Sequence, residues 1–182
     1  VPEACAHLDY QFWSPFRYGN YPRASRFRRA GPTPGVWYGA EKVLTAVCET
    51  VWGAIKFYAA SPATPLPRRP LADIQTPLAV DLTDPAWAGL GRWTDPDDYT
   101  DCLALADTLR GRGAEAIRYR SVRDPGQGAN IAVLTCPAFA KPHPVSRQSW
   151  QIMLTRGLIR AHCETTRQQH SFGIGATGLT AA

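Results

Sequence analysis

Apolar positions along the chain form several short patterns. The clearest runs from about Lys42 to Tyr58, where Val43, Val47, Val51, Ile55 and Tyr58 recur three or four apart, with Leu44 and Cys48 beside them. That period lays one apolar stripe along a helix. Glu49 falls off the stripe, on the flank near Thr45 and Lys56, so it faces either bulk water or a cleft. The aromatic run Tyr10–Arg17 reads as a first strand, Gly19 to Pro34 as a loop, and Gly35–Tyr38 as a short strand. Pro62 to Pro70 reads as an irregular crossing and Ala79–Leu82 as a strand. Thr94-Asp95-Pro96 predicts a helix start that runs to Arg110 and stops at Gly111 or Gly113. Ala116–Ser121 and Asn130–Leu134 read as strands around a turn containing Asp124-Pro125-Gly126, and the segment after Trp150 fits helix or strand equally. Strands and helices mixed without βαβ alternation give an α+β class.

Composition narrows the picture. A chain of 182 residues with 45% hydrophobic residues suits one packed domain, here taken as 1–182. Sixteen Pro and fifteen Gly disfavour a simple helical bundle. No apolar stretch approaches the roughly 20 residues of a membrane helix, and the first ten residues lack a basic start followed by an apolar run, so neither a membrane span nor a secretory leader is expected. The five cysteines are widely spaced and form no CxxC pair, which reads as neither a disulfide framework nor a zinc site and suits a reducing cytoplasm. The four histidines read as surface or structural residues, and Trp87, Trp93 and Trp150 as packing residues.

The net charge of +5 is partly local. Arg23, Arg26, Arg28 and Arg29 form one cluster, and Arg118, Arg120 and Arg123 another. Such clusters attract phosphates of any kind, and a solvated basic face is the plain alternative. There is no Gly-x-Ser-x-Gly elbow, no P-loop and no Gly-x-Gly-x-x-Gly after a strand.

Four separated segments stand out: Pro15-Phe16-Arg17-Tyr18; Ser25-Arg26-Phe27-Arg28-Arg29 with Pro34-Gly35-Val36-Trp37-Tyr38-Gly39-Ala40-Glu41; Thr45-Ala46-Val47-Cys48-Glu49; and Gly113 to Asp124 with Gly128-Ala129-Asn130-Ile131-Ala132-Val133-Leu134 behind it. In this order, from about residue 16 to 139, the chain resembles the RES domain, named for an arginine, a glutamate and a serine. The resemblance implies a mixed domain related to the diphtheria-toxin-like ADP-ribosyltransferases, with a central, mostly antiparallel sheet and flanking helices. It implies a cytoplasmic toxin that consumes NAD, needs no metal, and is blocked by a cognate antitoxin of the Xre/ParS type; a homodimer is a further expectation from related toxins. By the same carry-over the family glutamate is Glu49, the serine is Ser121, and the arginine is Arg17, Arg26 or Arg28. Tyr38 matches a tyrosine placed eleven residues before the glutamate.

These residue types suit cleavage of the nicotinamide–ribose bond. Departure of nicotinamide leaves an oxocarbenium-like ribose, and a carboxylate such as Glu49 can either stabilise that positive charge or hold the ribose hydroxyls and the nucleophile. Guanidinium groups at Arg17, Arg26 and Arg28 offer bidentate contacts to a pyrophosphate. Tyr38 offers a ring for stacking on nicotinamide and a hydroxyl, and Ser121 a hydrogen bond to the ligand or to Glu49. Water or phosphate is the expected acceptor of ADP-ribose; transfer to a protein target is the alternative. A basic nucleic-acid-binding module is a third reading, weakened because no recognition helix, zinc finger or RNP-type motif is present.

Overall fold

The computed structural model describes residues 1–58, 69–71, 78–87, 90–155 and 157–181. Its elements in chain order are α1 (Tyr10–Trp13), β1 (Trp37–Ala40), α2 (Val43–Tyr58), β2 (Arg69–Leu71), β3 (Ala79–Asp81), α3 (Leu90–Trp93), α4 (Thr100–Gly111), β4 (Ala116–Arg120), β5 (Ala129–Val133), β6 (Ser146–Gln148), β7 (Trp150–Leu154), β8 (Leu158–Cys163), β9 (Gln169–Ile174) and β10 (Leu179–Ala181). The class is mixed α+β, as the pattern of elements predicts. The strands divide into two four-stranded sheets, ordered β1-β5-β4-β3 and β10-β9-β8-β7, and a small pair, β2-β6. Among the described residues, all pairings are antiparallel except β3 with β4. The ambiguous segment after Trp150 is thus strand throughout the second sheet. Residues 62–68 of the proline-rich crossing lie outside the described residues, and its end, from Arg69, is β2.

Helix α2 joins the two sheets. Val47, Cys48 and Val51 of its stripe bury against Ile159, Ala161, Phe172 and Leu179 of the second sheet. The flank that carries Glu49 is left to meet the first sheet. In that sheet, cross-strand register puts Tyr38, Ala132 and Ile117 in one row and Ala40, Asn130 and Tyr119 in the next, on one face. Phe27 from the loop packs edge-on against Tyr119, and α4 adds Cys102, Ala106 and Leu109 to this core. The other face is covered by the N-terminal segment, where Phe12 stacks on Phe139 at 4.7 Å between ring centres and meets Trp37 edge-on.

Two predicted elements need correction. Tyr10–Arg17 is not a strand but the short helix α1 followed by a 3-10 turn at Ser14–Phe16. Asp9 caps α1 by accepting the Gln11 N–H at 3.0 Å, and Pro15 starts the turn with its fixed φ. Of its aromatics, Phe12 is buried under the sheet and Trp13 and Phe16 pack partly against it, while Tyr10 is exposed, so burial of part of the run rather than strand propensity accounts for them. The second correction is the start of α4, at Thr100 rather than Pro96. The Asp95 carboxylate accepts the N–H groups of Asp97 and Asp98 at 2.8 and 2.6 Å, which closes a separate turn before the helix. The helix ends as predicted, with Gly113 at φ +77° just beyond it.

The cysteine reading also needs correction. Cys5 and Cys136 form a disulfide with Cα atoms 5.4 Å apart, and Cys48, Cys102 and Cys163 are free and buried. The partners are 131 residues apart, so no spacing motif reveals them. A disulfide is a feature of oxidising surroundings, which removes the argument from cysteines to a reducing compartment. No helix among the described residues is long and apolar enough to cross a membrane.

One close approach orients the start of β1. A Cβ added at Gly35 would overlap the backbone carbonyl of Pro15. Gly35→Ala is expected to lower stability by about 1–3 kcal/mol, since neither backbone yields easily. Chemical denaturation checks this; an unchanged midpoint would contradict the close packing.

Candidate functional site

Glu49 stands half-buried on the sheet-facing flank of α2. Its Oε1 accepts two hydrogen bonds, from Ser121 Oγ at 2.6 Å and from Asn130 Nδ2 at 2.7 Å. Among the described residues, none donates to Oε2. Ser121 is held firmly. Its Oγ accepts the backbone N–H groups of Arg123 and Asp124 at 3.2 and 3.1 Å, so both lone pairs are engaged and its one proton points to Glu49.

Asp124 ties the same turn to α2. The buried carboxylate accepts from Thr45 Oγ1 at 2.7 Å and from the N–H groups of Gly126 and Gly128 at 2.8 and 3.2 Å. Thr45 lies one helical turn before Glu49, on the same face. A Cβ at Gly128 would collide with the Thr45 hydroxyl, so the turn approaches the helix as only glycine permits. The 121–128 turn therefore grips α2 at two levels. Beside it, burial and the Asp124 and Glu49 charges push the Cys48 thiol up to about 12. That thiol is not a nucleophile at neutral pH.

Tyr38 and Tyr119 form the aromatic part of the site. The Tyr38 hydroxyl accepts the Phe27 N–H at 3.0 Å and hydrogen-bonds Ser25 Oγ at 2.9 Å. It thereby latches the arginine-bearing loop to β1, and burial raises its pKa. The hydroxyl offered to a ligand in the sequence reading is thus already used; the ring, in a residue 37% exposed, is what remains for stacking. Tyr119 is buried, and its phenol is pushed well up, first by loss of water and then by the fields of Tyr38 and Glu49, against the opposing field of Arg26. These neighbours place Tyr119 amid the three sequence-predicted residues.

The arginines have separate environments. Arg26 is buried and donates through Nη1 to the Trp93 carbonyl at 2.9 Å and through Nη2 to the Asp95 carbonyl at 2.8 Å, with its cation over the Tyr99 ring. Arg28 lies 3.8 Å from the centre of the Tyr21 ring and donates to the Arg23 carbonyl, while its buried Nε has no partner among the described residues. Arg17 is exposed, over the Tyr18 ring, and follows a turn rather than ending a strand. Arg110, not foreseen as part of the site, donates to the carbonyls of Leu134 and Gly35 and acts electrostatically on Tyr38.

Neither predicted basic cluster is a free cationic patch. Arg29 pairs with Asp107 at 2.6 Å, and Arg118 makes a two-pronged contact with Glu41 at 2.6 and 2.9 Å. Arg123 is buried over the Trp52 ring.

The structure thus brings Glu49 and Ser121 into direct contact and sets Tyr38 and Arg26 around Tyr119. A cavity of about 560 Å³ opens beside Ser121, with Asp124, Gln127, Arg120 and the 175–180 hairpin in its wall; Glu49, Tyr38, Arg17, Arg26 and Arg28 do not line it. Sequence reasoning missed Asn130 and Tyr119 as site residues. The strand period held the signal: Tyr119 lies two before Ser121, and Asn130 is its cross-strand partner.

A family model for the RES domain matches residues 1–155. The chain belongs to the RES domain family. This family is associated with NAD-utilising enzymatic toxins and with toxin–antitoxin pairs. No curated protein matches the chain. The RES match takes in every candidate site residue but ends before β8. Strands β8 to β10, beyond it, back the apolar stripe of the helix that carries Glu49. Among the described residues, no group of three or more His, Cys, Asp or Glu is placed to hold a metal ion.

Proposed function

We propose that this RES domain binds NAD and cleaves its nicotinamide–ribose bond, passing ADP-ribose to water or phosphate. The observation that carries the reading is the oriented carboxylate: Glu49 has two donors on Oε1 and none from the described residues on Oε2. In the reaction the bond from ribose C1′ to the nicotinamide nitrogen breaks, and its electron pair leaves with neutral nicotinamide. The ribosyl cation is stabilised by the Glu49 charge in a partly dehydrated site, where such charge acts strongly. The acceptor oxygen then bonds to C1′ and its proton is released to solvent.

In this reading the exposed Tyr38 ring stacks on nicotinamide, and Ser121 holds Glu49. Arg17 and Arg28 contact the pyrophosphate. Arg26, already donating to two carbonyls, contributes chiefly its positive field. The site of action in this reading is the cytoplasm, as the family's toxin role implies, although the Cys5–Cys136 bond is of a kind that a reducing compartment opens; the partner is an antitoxin of the Xre/ParS type, tested by co-purification.

Mass analysis of products after incubation with NAD, with and without phosphate, tests the proposal. Free ADP-ribose is expected without phosphate, or ADP-ribose phosphate with it. A mass gain on an added protein would instead mean transfer. Unchanged NAD would overturn the reading.

A further inference from the structure

We infer that Asn130 is a positioning residue for the Glu49 carboxylate; the inference rests on the NAD-cleaving reading and adds a residue to it. Asn130 lies on β5, flanked by β1 and β4, opposite Ala40 and Tyr119, and is only 2% exposed. Asparagine is depleted in strands, so a sheet interior is a poor place for it unless its amide has a task.

That task is visible in how the amide is used. Nδ2 donates to Glu49 Oε1 at 2.7 Å, while the buried Oδ1 has no donor among the described residues. Buried polar atoms are nearly always satisfied, and an orphan calls for a reason. Turning the amide over would set Oδ1 against Oε1, acceptor against acceptor, and strand the Nδ2 group. The orientation is thus dictated by the carboxylate, and the orphaned oxygen is its consequence.

Geometry explains why Ser121 does not suffice. A single hydrogen bond leaves the carboxylate free to turn about its own axis. Ser121 reaches Oε1 from the turn after β4, and Asn130 reaches it from β5. Two donors from two separate segments, a turn and a strand, fix the plane of the group, and with it the position of Oε2. A displacement of about 1 Å at such a group costs about 10²-fold in rate.

The test uses the full chain and the variants Asn130→Asp, Asn130→Ser and Glu49→Gln. Asp keeps the shape of Asn, but ionised it can only accept, and it repels Glu49; protonated, it donates a hydrogen bond to the carboxylate instead. Asn130→Asp is expected to lower kcat about 10²-fold at pH 8, with KM much less affected, and to regain activity as the pH falls towards 5. The wild-type profile lacks that regain. Wild-type kcat in Asn130→Asp at pH 8, or a loss equal at every pH, overturns the inference. If Asn130→Asp fails to fold, Asn130→Ser answers instead: an unchanged kcat in it counts against positioning, and a fall in kcat with an unchanged melting temperature supports it.

A second readout does not depend on turnover. In ¹⁵N-labelled protein the Asn130 side-chain amide is expected to shift in Glu49→Gln, as its acceptor loses charge, while distant Asn and Gln amides stay in place. No shift removes the contact and the inference with it. If the amide shifts in Glu49→Gln but the wild-type protein leaves NAD intact, the NAD reading and the catalytic use of the contact are overturned, while the contact itself stands.

Discussion

Glu49→Gln is expected to reduce NAD cleavage by about 10³-fold or more, as loss of a charge aimed at a developing cation does elsewhere. The substitution is unusually clean at this position. Ser121 and Asn130 are both donors to the same carboxylate oxygen, and a glutamine carbonyl oxygen accepts both bonds. The shape, the two hydrogen bonds and the packing of α2 survive; only the charge goes. NAD affinity should change by no more than a few-fold, because the residue acts on the transition state rather than on the bound dinucleotide. Single-turnover NAD loss and a binding titration, each beside a thermal melt, measure the two quantities. Full activity in a folded Glu49→Gln protein would end the proposed mechanism.

The family resemblance made this test legible by pointing to Glu49, while the helix pattern placed it only on a flank facing water or a cleft. A charged residue beside a regular apolar stripe lies on a flank, and the stripe itself identified α2 to within a residue at its start. What the sequence withheld was where that flank points. The answer depends on the second sheet, whose strands alternate too weakly after Trp150 to separate helix from strand. Once that sheet takes up the stripe at Ile159 and Phe172, the opposite flank must meet Asn130 and Ser121. The arginines were illegible for another reason. Composition gives their number, but only tertiary contacts show that Arg26 is engaged by two carbonyls and that Arg29 is paired with Asp107. The aromatic run before Arg17 misled because burial under a sheet and strand propensity select the same residues.

The disulfide sets the second large expectation. Converting Cys5 and Cys136 to Ser, or reducing the bond, should lower stability by about 3–4 kcal/mol, because the bond closes a very long loop in the unfolded chain. For a chain of this size that is a fall in melting temperature of roughly 10 °C. The loss is expected to be uneven. Both cysteines are 3% exposed, within the cluster of Phe12, Val133 and Phe139 that fastens the N-terminal segment to the first sheet. Beyond that cluster the segment is held by a few polar contacts: Asp9 N–H to the Pro142 carbonyl at 2.7 Å, Trp37 Nε1 to the Gln11 carbonyl at 3.1 Å, and Arg147 to Asp9 at 2.9 Å. Without the bond, hydrogen exchange should quicken first at Leu8 to Trp13 rather than in β4 and β5. That segment leads into Arg17, so in the proposed reading KM for NAD rises while Glu49 and its donors stay in place. Thiol titration of the denatured protein gives the direct control, with three free thiols expected before reduction and five after it. Five thiols without reductant, or equal denaturation midpoints with and without the bond, would remove this account of how the N-terminus is held.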